Sequence, residues 1–355
     1  MRAGLHAAAI AAKNRNMEKR IFSNWQQLAE LDYFELLPDG RMALRVEGLD
    51  GLIDFHTHLG WTALIAPKVN LTRETPEMIH NFGRDLKVNL DIYMGQNFYE
   101  ERPKWGVQDY LPCALSPLRR GKHHTHTVPN IIREMDALKI DKCVTLSLDF
   151  SFSSNTRRTG EALKNTDRLV FFCMVHPKNK RREQLIEEYV AMGARGMKVH
   201  PEMQMMSVSA EPMQELFKLW KEKTGGLPVL AHSGFNGFEP KSAREHADIG
   251  HYWKMAEALE GSPCILGHAS MNQFRQAVEI AEKHPHVLLE VSGQPPAHLH
   301  EMMDRLGPDR LLFGSDWPVY PQAVPIAKTL IATEGNPEAR IKILRDNARR
   351  VLGLS

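Results

Sequence analysis

The pentapeptide Asp54-Phe55-His56-Thr57-His58 ends a short apolar run and sets two imidazoles two residues apart. Side chains alternate across an extended strand, so His56 and His58 share a face. Two imidazoles on one face are a chelating pair for a divalent ion, although an HxH pair alone is common by chance. Three further residues add weight. His232 ends the apolar part of VLAHSG, His268 that of ILGHAS and Asp316 that of LFGSDWP. A buried histidine at the end of one strand is ordinarily a hydrogen-bonded core residue. Ionisable groups ending three separate apolar runs, all converging on one rim, are hard to explain as packing. Neutral imidazoles with one carboxylate form a borderline donor set suited to Zn²⁺, with Mn²⁺, Fe²⁺ and Co²⁺ as alternatives. Lys198 lies two residues before His200 in GMKVH and shares its face. His123, His124 and His126 resemble a chelating tract just before a proline-started helix, but they read as exposed and away from that rim.

The elements that must carry these residues follow from hydropathy. Apolar runs occur at 51–56, 143–149, 169–176, 196–200, 228–234, 264–270, 287–293 and 311–317. From the second onward their spacing is that of one strand plus one helix. Between them, IIREMDALK, RREQLIEEYVAMG, EPMQELFKLWKEK, FRQAVEIAEKH and ARIKILRDNARRVLG carry apolar residues three and four apart, the mark of amphipathic helices. Gly193 and Gly261 read as helix stops. Eight strands each followed by a helix predict an α/β fold, a (β/α)8 TIM-type barrel. An open doubly wound sheet would carry a glycine-rich phosphate turn after its first strand; the turn here is HTHLGW.

Residues 1–50 read as an N-terminal extension with a small β element (DYFELL, a PDG turn, RMALRVEG), and residues 51–355 as the barrel. An insertion at about 60–127 follows the first strand, so it lies at the active-site face and reads as a lid or as a peripheral packing element. Its stretch PEMIHNFGRDLKVNLDIYM looks helical. Formal net charge is +2, which gives no basic field for nucleic acid, and no apolar run approaches membrane-spanning length. Four cysteines, none spaced CxxC, favour a reducing cytoplasmic compartment. The opening MRAGLHAAAIAA faintly mimics a leader but is interrupted by His6 and followed by a polar segment; it reads as a frayed terminus. A small-molecule substrate is the expected partner, and a homo-oligomer is compatible with the chain.

GLIDFHTHLG, MDALKIDKCVTLSLD, GARGMKVHP, LPVLAHSG, ILGHAS, DRLLFGSDWP and ILRDNARRVLGL together resemble the amidohydrolase superfamily. The resemblance is to its amidohydrolase-related branch, which includes aminocarboxymuconate semialdehyde decarboxylase, γ-resorcylate decarboxylase and pyrone dicarboxylate lactonase. The first fifty residues and the insertion fall outside it. The resemblance implies that His56, His58 and His232 bind one divalent metal, zinc by donor type, and that Asp316 completes the site and exchanges protons with a bound water. It implies that His268 orients or deprotonates that water. In two-metal relatives a lysine at the Lys198 position is carboxylated and bridges the ions; the KxHP context here is closer to one-metal members.

Three functions follow as expectations. The first is hydrolysis of an ester, lactone or amide through a metal-activated water. The alternative is non-oxidative decarboxylation of a small unsaturated or aromatic acid. Some decarboxylases of this branch have Glu in place of the first histidine of the pair, and His56 removes that pointer. A non-enzymatic metal protein is the third; His268 beside a complete ligand set counts against it. Lys198 and His200 read as substrate-binding, with Arg157 and Arg158 as further cations at the mouth, so the substrate is expected to be anionic. Trp317, before Pro318, reads as a pocket wall.

Overall fold

The computed structural model describes residues 19–62, 68–101, 121–149, 154–235, 239 and 241–354. All eight apolar runs become strands. They are β1 Leu52–Thr57, β2 Ile140–Leu146, β3 Leu169–Met174, β4 Gly196–Val199, β5 Val229–His232, β6 Cys264–Gly267, β7 Val287–Glu290 and β8 Leu311–Leu312. They form one sheet in chain order with every neighbouring pair parallel. The ends of β1 and β8 meet through Phe55 N donating to Phe313 O (2.8 Å), Asp316 N to His56 O (2.8 Å) and His58 N to Trp317 O (2.6 Å). These bonds and a parallel bridge between Thr57 and Trp317 join the first strand to the last. The architecture is a TIM-type barrel.

Helices cover the outer face, so the strands are buried on both sides and read as apolar runs without alternation. The inner apolar layer comprises Ile53, Phe55, Val144, Leu146, Phe172, Leu230, Ile265, Leu288 and Leu312. β4 adds no aliphatic side chain to it; its inward residue is the fully buried Lys198. The amphipathic stretches form helices at Val128–Ala137, Arg182–Ala191, Glu211–Thr224 and Phe274–Lys283, and the last runs through Pro337–Ile341, a π-turn at Lys342–Asp346 and Asn347–Leu352. Gly193 takes φ +101° just after the helix ending at Ala191, a conformation that suits a glycine stop.

The N-terminal β element is a hairpin of Phe34–Leu36 with Met42–Leu44. The insertion departs from expectation. Residues 76–93 are not helical: Val88–Asn89 pairs with Ile21–Phe22, and a helix starts only at Met94. The backbone amides of Asn81 and Phe82 are committed to Pro318 O and Val319 O on the loop after β8 (2.9 and 2.8 Å), which a helix would not allow. His123 and His126 are buried, not exposed. His123 stacks on Trp61 with centroids 5.5 Å apart, and His126 Nε2 lies 2.9 Å from Ile79 O. The leader-like opening and Cys113, the fourth cysteine, lie outside the described residues. Cys143, Cys173 and Cys264 are buried free thiols. Among the described residues no helix is long and apolar enough to cross a membrane.

Candidate metal centre

The site begins with a fault in β1. Asp54 pairs with Cys143 and Thr57 with Thr145, so three steps of β1 span two of β2. This bulge lets Phe55 join the inner apolar layer while its neighbour His56 also reaches the interior, against Glu290 and Lys198. Asp54 locks the bulge to the β8 loop. Its buried carboxylate accepts from His56 N (3.1 Å), Ser315 N (2.9 Å), Ser315 Oγ (2.5 Å) and Gln322 Nε2 (2.7 Å). Burial pushes this carboxyl up to about 6 against the pull of those donors. Asp54 is therefore the joint between the two strands that carry His56, His58 and Asp316. Asp316 itself sits at φ +60°, a costly conformation for a residue with a Cβ that is found where surroundings enforce it.

The unused nitrogens of the histidine pair are tied down. His58 Nδ1 lies 2.8 Å from Leu146 O; a carbonyl only accepts, so Nδ1 carries the hydrogen. His56 Nδ1 lies 2.5 Å from Glu290 Oε2, and an ionised Glu290 accepts a hydrogen from it. Both rings then present bare Nε2 lone pairs, and these face each other at 3.2 Å. Asp316 Oδ1 stands 3.4 Å from His58 Nε2 and 3.7 Å from His56 Nε2. Apart from Lys198 Nζ, 3.4 Å from His56 Nε2, no donor is directed into this group, and its three acceptor atoms repel one another unless a cation lies among them. His56, His58 and Asp316 thus fit a divalent ion on donor chemistry and on the direction of their lone pairs. Burial, then the charge of Lys198, drives His56 well below the usual imidazole range, so it is neutral and able to ligate.

Glu290 is the one acid inside the apolar run VLLEVSG, and the sequence pattern alone assigns it no partner. It is fully buried and also accepts from His268 N (3.0 Å), Ser292 N (2.6 Å) and Ser292 Oγ (3.0 Å). Burial pushes its carboxyl up to about 8, and these hydrogen bonds oppose that. Gly314 makes room for it: a Cβ there would lie 2.2 Å from Glu290 Oε1 and 2.8 Å from His56 Cβ.

His232 stands on the other side of the mouth. Its Nδ1 is 3.1 Å from His268 Nε2. Its Nε2 is buried without a hydrogen-bond partner, 3.7 Å from Glu202 Oε2. Burial, then Lys198, pushes His232 well below the imidazole range. It belongs to a second convergent group with His200 and Glu202. The rings of His200 and His232 stack at 4.1 Å and 8°, and His200 Nδ1 and Glu202 Oε1 are also buried without partners. Burial, then Glu239, pushes Glu202 up to about 8. The sequence signal for Glu202 is its position two residues past His200, on the same rim.

His268 joins the two groups. It begins four successive residues with positive φ, His268 to Met271. Gln294 holds that turn by donating from Nε2 to His268 O (2.7 Å) and Met271 O (3.0 Å). Both ring nitrogens of His268 are engaged, Nδ1 with Ser292 Oγ at 2.7 Å and Nε2 with His232. Lys198 Nζ lies 3.4 Å from His56 Nε2, and burial lowers the amine to about 8. Trp317 is fully buried, with its indole N–H donating to Glu134 Oε2 at 2.9 Å. Neither arginine after β2 reaches the metal group. Arg157 pairs with Glu188, and Arg158 donates to Thr62 Oγ1 and Val69 O.

The chain matches the family model described as Amidohydrolase over residues 148–354. No curated protein matches it in sequence. Among solved structures it is similar to an uncharacterized TIM-barrel protein from Bordetella bronchiseptica, at 17% identity over 85% of this chain and 98% of that one, with a TM-score of 0.58. It is also similar to a probable 2-pyrone-4,6-dicarboxylic acid hydrolase from Acinetobacter baumannii (12% identity, 86% and 100% covered, TM-score 0.52). A third similar structure is 5-carboxyvanillate decarboxylase from Sphingomonas paucimobilis (12% identity, 86% and 99% covered, TM-score 0.59). At these identities the structures establish the barrel and not the reaction.

Proposed function

From a chain that belongs to the amidohydrolase family, we propose a hydrolase that cuts an ester, lactone or amide bond of a small anionic substrate at one divalent ion, zinc by donor type. His56, His58, His232 and Asp316 would hold the ion. The observation that carries this reading is the pair of bare, mutually facing Nε2 atoms of His56 and His58 with Asp316 Oδ1 beside them. The bare and unpartnered Nε2 of His232 supports it as the fourth donor. When bound, such an ion polarises a carbonyl and brings a water towards a pKa of about 7.

The protein's own groups divide the remaining work. Asp316 is the partly open carboxylate of the group, its side chain 15% exposed, and takes the proton from the attacking water. Lys198 supplies a buried positive charge for an anionic group of the substrate. His200 and Glu202 present the unpartnered polar atoms that a bound substrate would satisfy. His268, with both ring nitrogens engaged, acts by holding His232 in place. Tyr93 and Met94 bring one part of the insertion against the loop after β7: Met94 N donates to Gly293 O (2.8 Å) and a Cβ on Gly293 would lie 2.9 Å from the Tyr93 ring; we assign this part of the insertion as a cover.

Decarboxylation is the second reading. The buried Lys198 favours it, because an amine in that position also grips a carboxylate destined to leave. Offering zinc-loaded protein a panel of lactones, esters and hydroxybenzoic acids in ¹⁸O-labelled water separates the two. Hydrolysis puts ¹⁸O into a product acid; decarboxylation releases carbon dioxide and leaves the other product unlabelled. Carbon dioxide release without label overturns hydrolysis.

A further inference from the structure

Hydrogen-bond direction fixes more than distance does. Ser292 Oγ has one hydrogen and touches two groups, Glu290 Oε2 at 3.0 Å and His268 Nδ1 at 2.7 Å. The Glu290 oxygen is an acceptor for His56 Nδ1 and His268 N as well. With Glu290 ionised, the serine hydrogen goes to Glu290; pointed elsewhere, it would leave two oxygen lone pairs opposed. His268 must then donate from Nδ1–H to Ser292 Oγ, and a neutral His268 keeps a bare Nε2. That nitrogen, 3.1 Å from His232 Nδ1, accepts from it. His232 carries its hydrogen on Nδ1, and its Nε2 is left bare. The chain is fully buried: Glu290, Ser292, His268 and His232 are all at least nine-tenths shielded from solvent, so no bulk water supplies an alternative partner.

We infer that Ser292 and Glu290 on β7 and its following loop, which hold no ion themselves, set the ring tautomers of His56, His268 and His232 and so make His56 and His232 competent to bind metal. Glu290 acts on His56 directly and on His232 through Ser292 and His268. Two donors from opposite sides of the mouth are thereby set by one buried carboxylate. If the serine hydroxyl is removed, His268 loses the acceptor for Nδ1–H. Its hydrogen moves to Nε2, His232 must become the acceptor at Nδ1, and His232 then offers an N–H where the ion needs a lone pair. Ser292 and Glu290 are positioning residues. Changing such an outer hydrogen-bond partner typically lowers metal affinity about 10- to 100-fold.

This inference rests on His56 and His232 being ligands, and the experiment keeps the two claims apart. Zinc affinity is measured by chelator competition for the full chain and for Ser292→Ala, Ser292→Thr and His56→Ala. Ring tautomers are read on the metal-free proteins by ¹⁵N–¹H correlation of labelled histidines. Ser292→Ala is expected to weaken zinc binding about tenfold or more and to move the His232 hydrogen from Nδ1 to Nε2, and Ser292→Thr to restore both. If Ser292→Ala leaves affinity and tautomer unchanged while His56→Ala abolishes binding, the relay is wrong and the metal centre stands. If His56→Ala binds zinc as the unaltered chain does, the metal centre is wrong, and the tautomer shift still decides the relay. A Thr variant as poor as Ala in both readouts, though folded, shows that packing and not the hydroxyl matters, and also overturns it.

Discussion

The two sides of the barrel mouth are built differently. On the β1–β8 side the backing contacts of both histidines are filled. His58 Nδ1 is bonded to Leu146 O, His56 Nδ1 to Glu290 and His56 N to Asp54. On the β4–β5 side the opposite holds: His200 Nδ1, Glu202 Oε1 and His232 Nε2 are buried without hydrogen-bond partners. A buried polar atom left unpaired costs roughly 1–3 kcal/mol, so a protein tolerates several together chiefly where a ligand will pair them. The first side is preorganised to receive an ion; on the second, His232 Nε2 is open to that same ion, and His200 and Glu202 are open to what the ion acts upon. β7 connects them through Glu290 and Ser292.

Removing a ligand on the filled side should produce the largest effect. His58→Ala and His56→Ala are expected to lose the ion and to cut turnover by about 10³ or more, since metal charge stabilisation contributes several kcal/mol. Metal analysis of purified protein should give near one equivalent for the unaltered chain and almost none for either variant. Near two equivalents with a carboxylated Lys198 would move the centre to a two-metal form. Full activity without bound metal would dissolve the contrast between the sides altogether.

The joint behind the filled side comes next. Asp54→Ala strands four donors in a dry interior, at His56 N, Ser315 N, Ser315 Oγ and Gln322 Nε2. Broken buried networks of this kind cost about 3 kcal/mol. Denaturant titration should show that loss, with a parallel drop in metal affinity because β1 and β8 no longer hold register. Unchanged stability would mean that the barrel closure does not depend on this carboxylate.

On the open side, Glu202→Gln and His200→Ala should keep the metal and raise KM about tenfold, with kcat changed less; this is the signature of lost ground-state binding. The measurement pairs steady-state kinetics with metal content. A variant that instead sheds the ion would place His200 or Glu202 among the ligands and erase the division between the two sides.

Much of this was legible in the sequence, and the failures share a cause. The eight strands were visible because parallel strands covered on both faces must be continuously apolar, as VLLEV and CILG are. His56, His58 and Asp316 were visible because a polar residue ending such a run needs a reason. Glu290 breaks a run in the same way, but its reason lies in partners on other strands that no local pattern reveals. The bulge in β1 is likewise set by pairing with β2. The helix Ala323–Ala332 is buried at every position, so it has no periodicity to read. Residues 76–93 carried helical spacing, yet their amides were drawn to the β8 loop, a tertiary choice that overrode local preference.

The smallest effect concerns the clamp on β7 itself. Lys328, buried in the helix after β8, donates to Gly293 O (3.0 Å) and to Ile92 O of the insertion (2.6 Å). Gly293 follows Ser292, so this amine steadies the segment that joins the two sides. Burial lowers Lys328 from 10.5 to about 7, with Asp91 opposing. Between pH 7 and 10.5 the unfolded chain holds the proton on this lysine and the folded chain has largely released it. Stability contributed by this group therefore rises with pH across that window, by no more than about 1.4 kcal/mol per pH unit. Below pH 7 both states are protonated and the contribution is flat. Lys328→Met removes the proton and both hydrogen bonds, which shifts stability by a constant and removes the slope. The measurement is the difference in urea midpoint between the unaltered chain and Lys328→Met at pH 6, 7, 8 and 9. The difference should hold steady from pH 6 to 7 and then move in favour of the unaltered chain. A difference that stays level through pH 9 would show that Lys328 keeps its charge in the folded protein, with the ammonium satisfied by its two carbonyls.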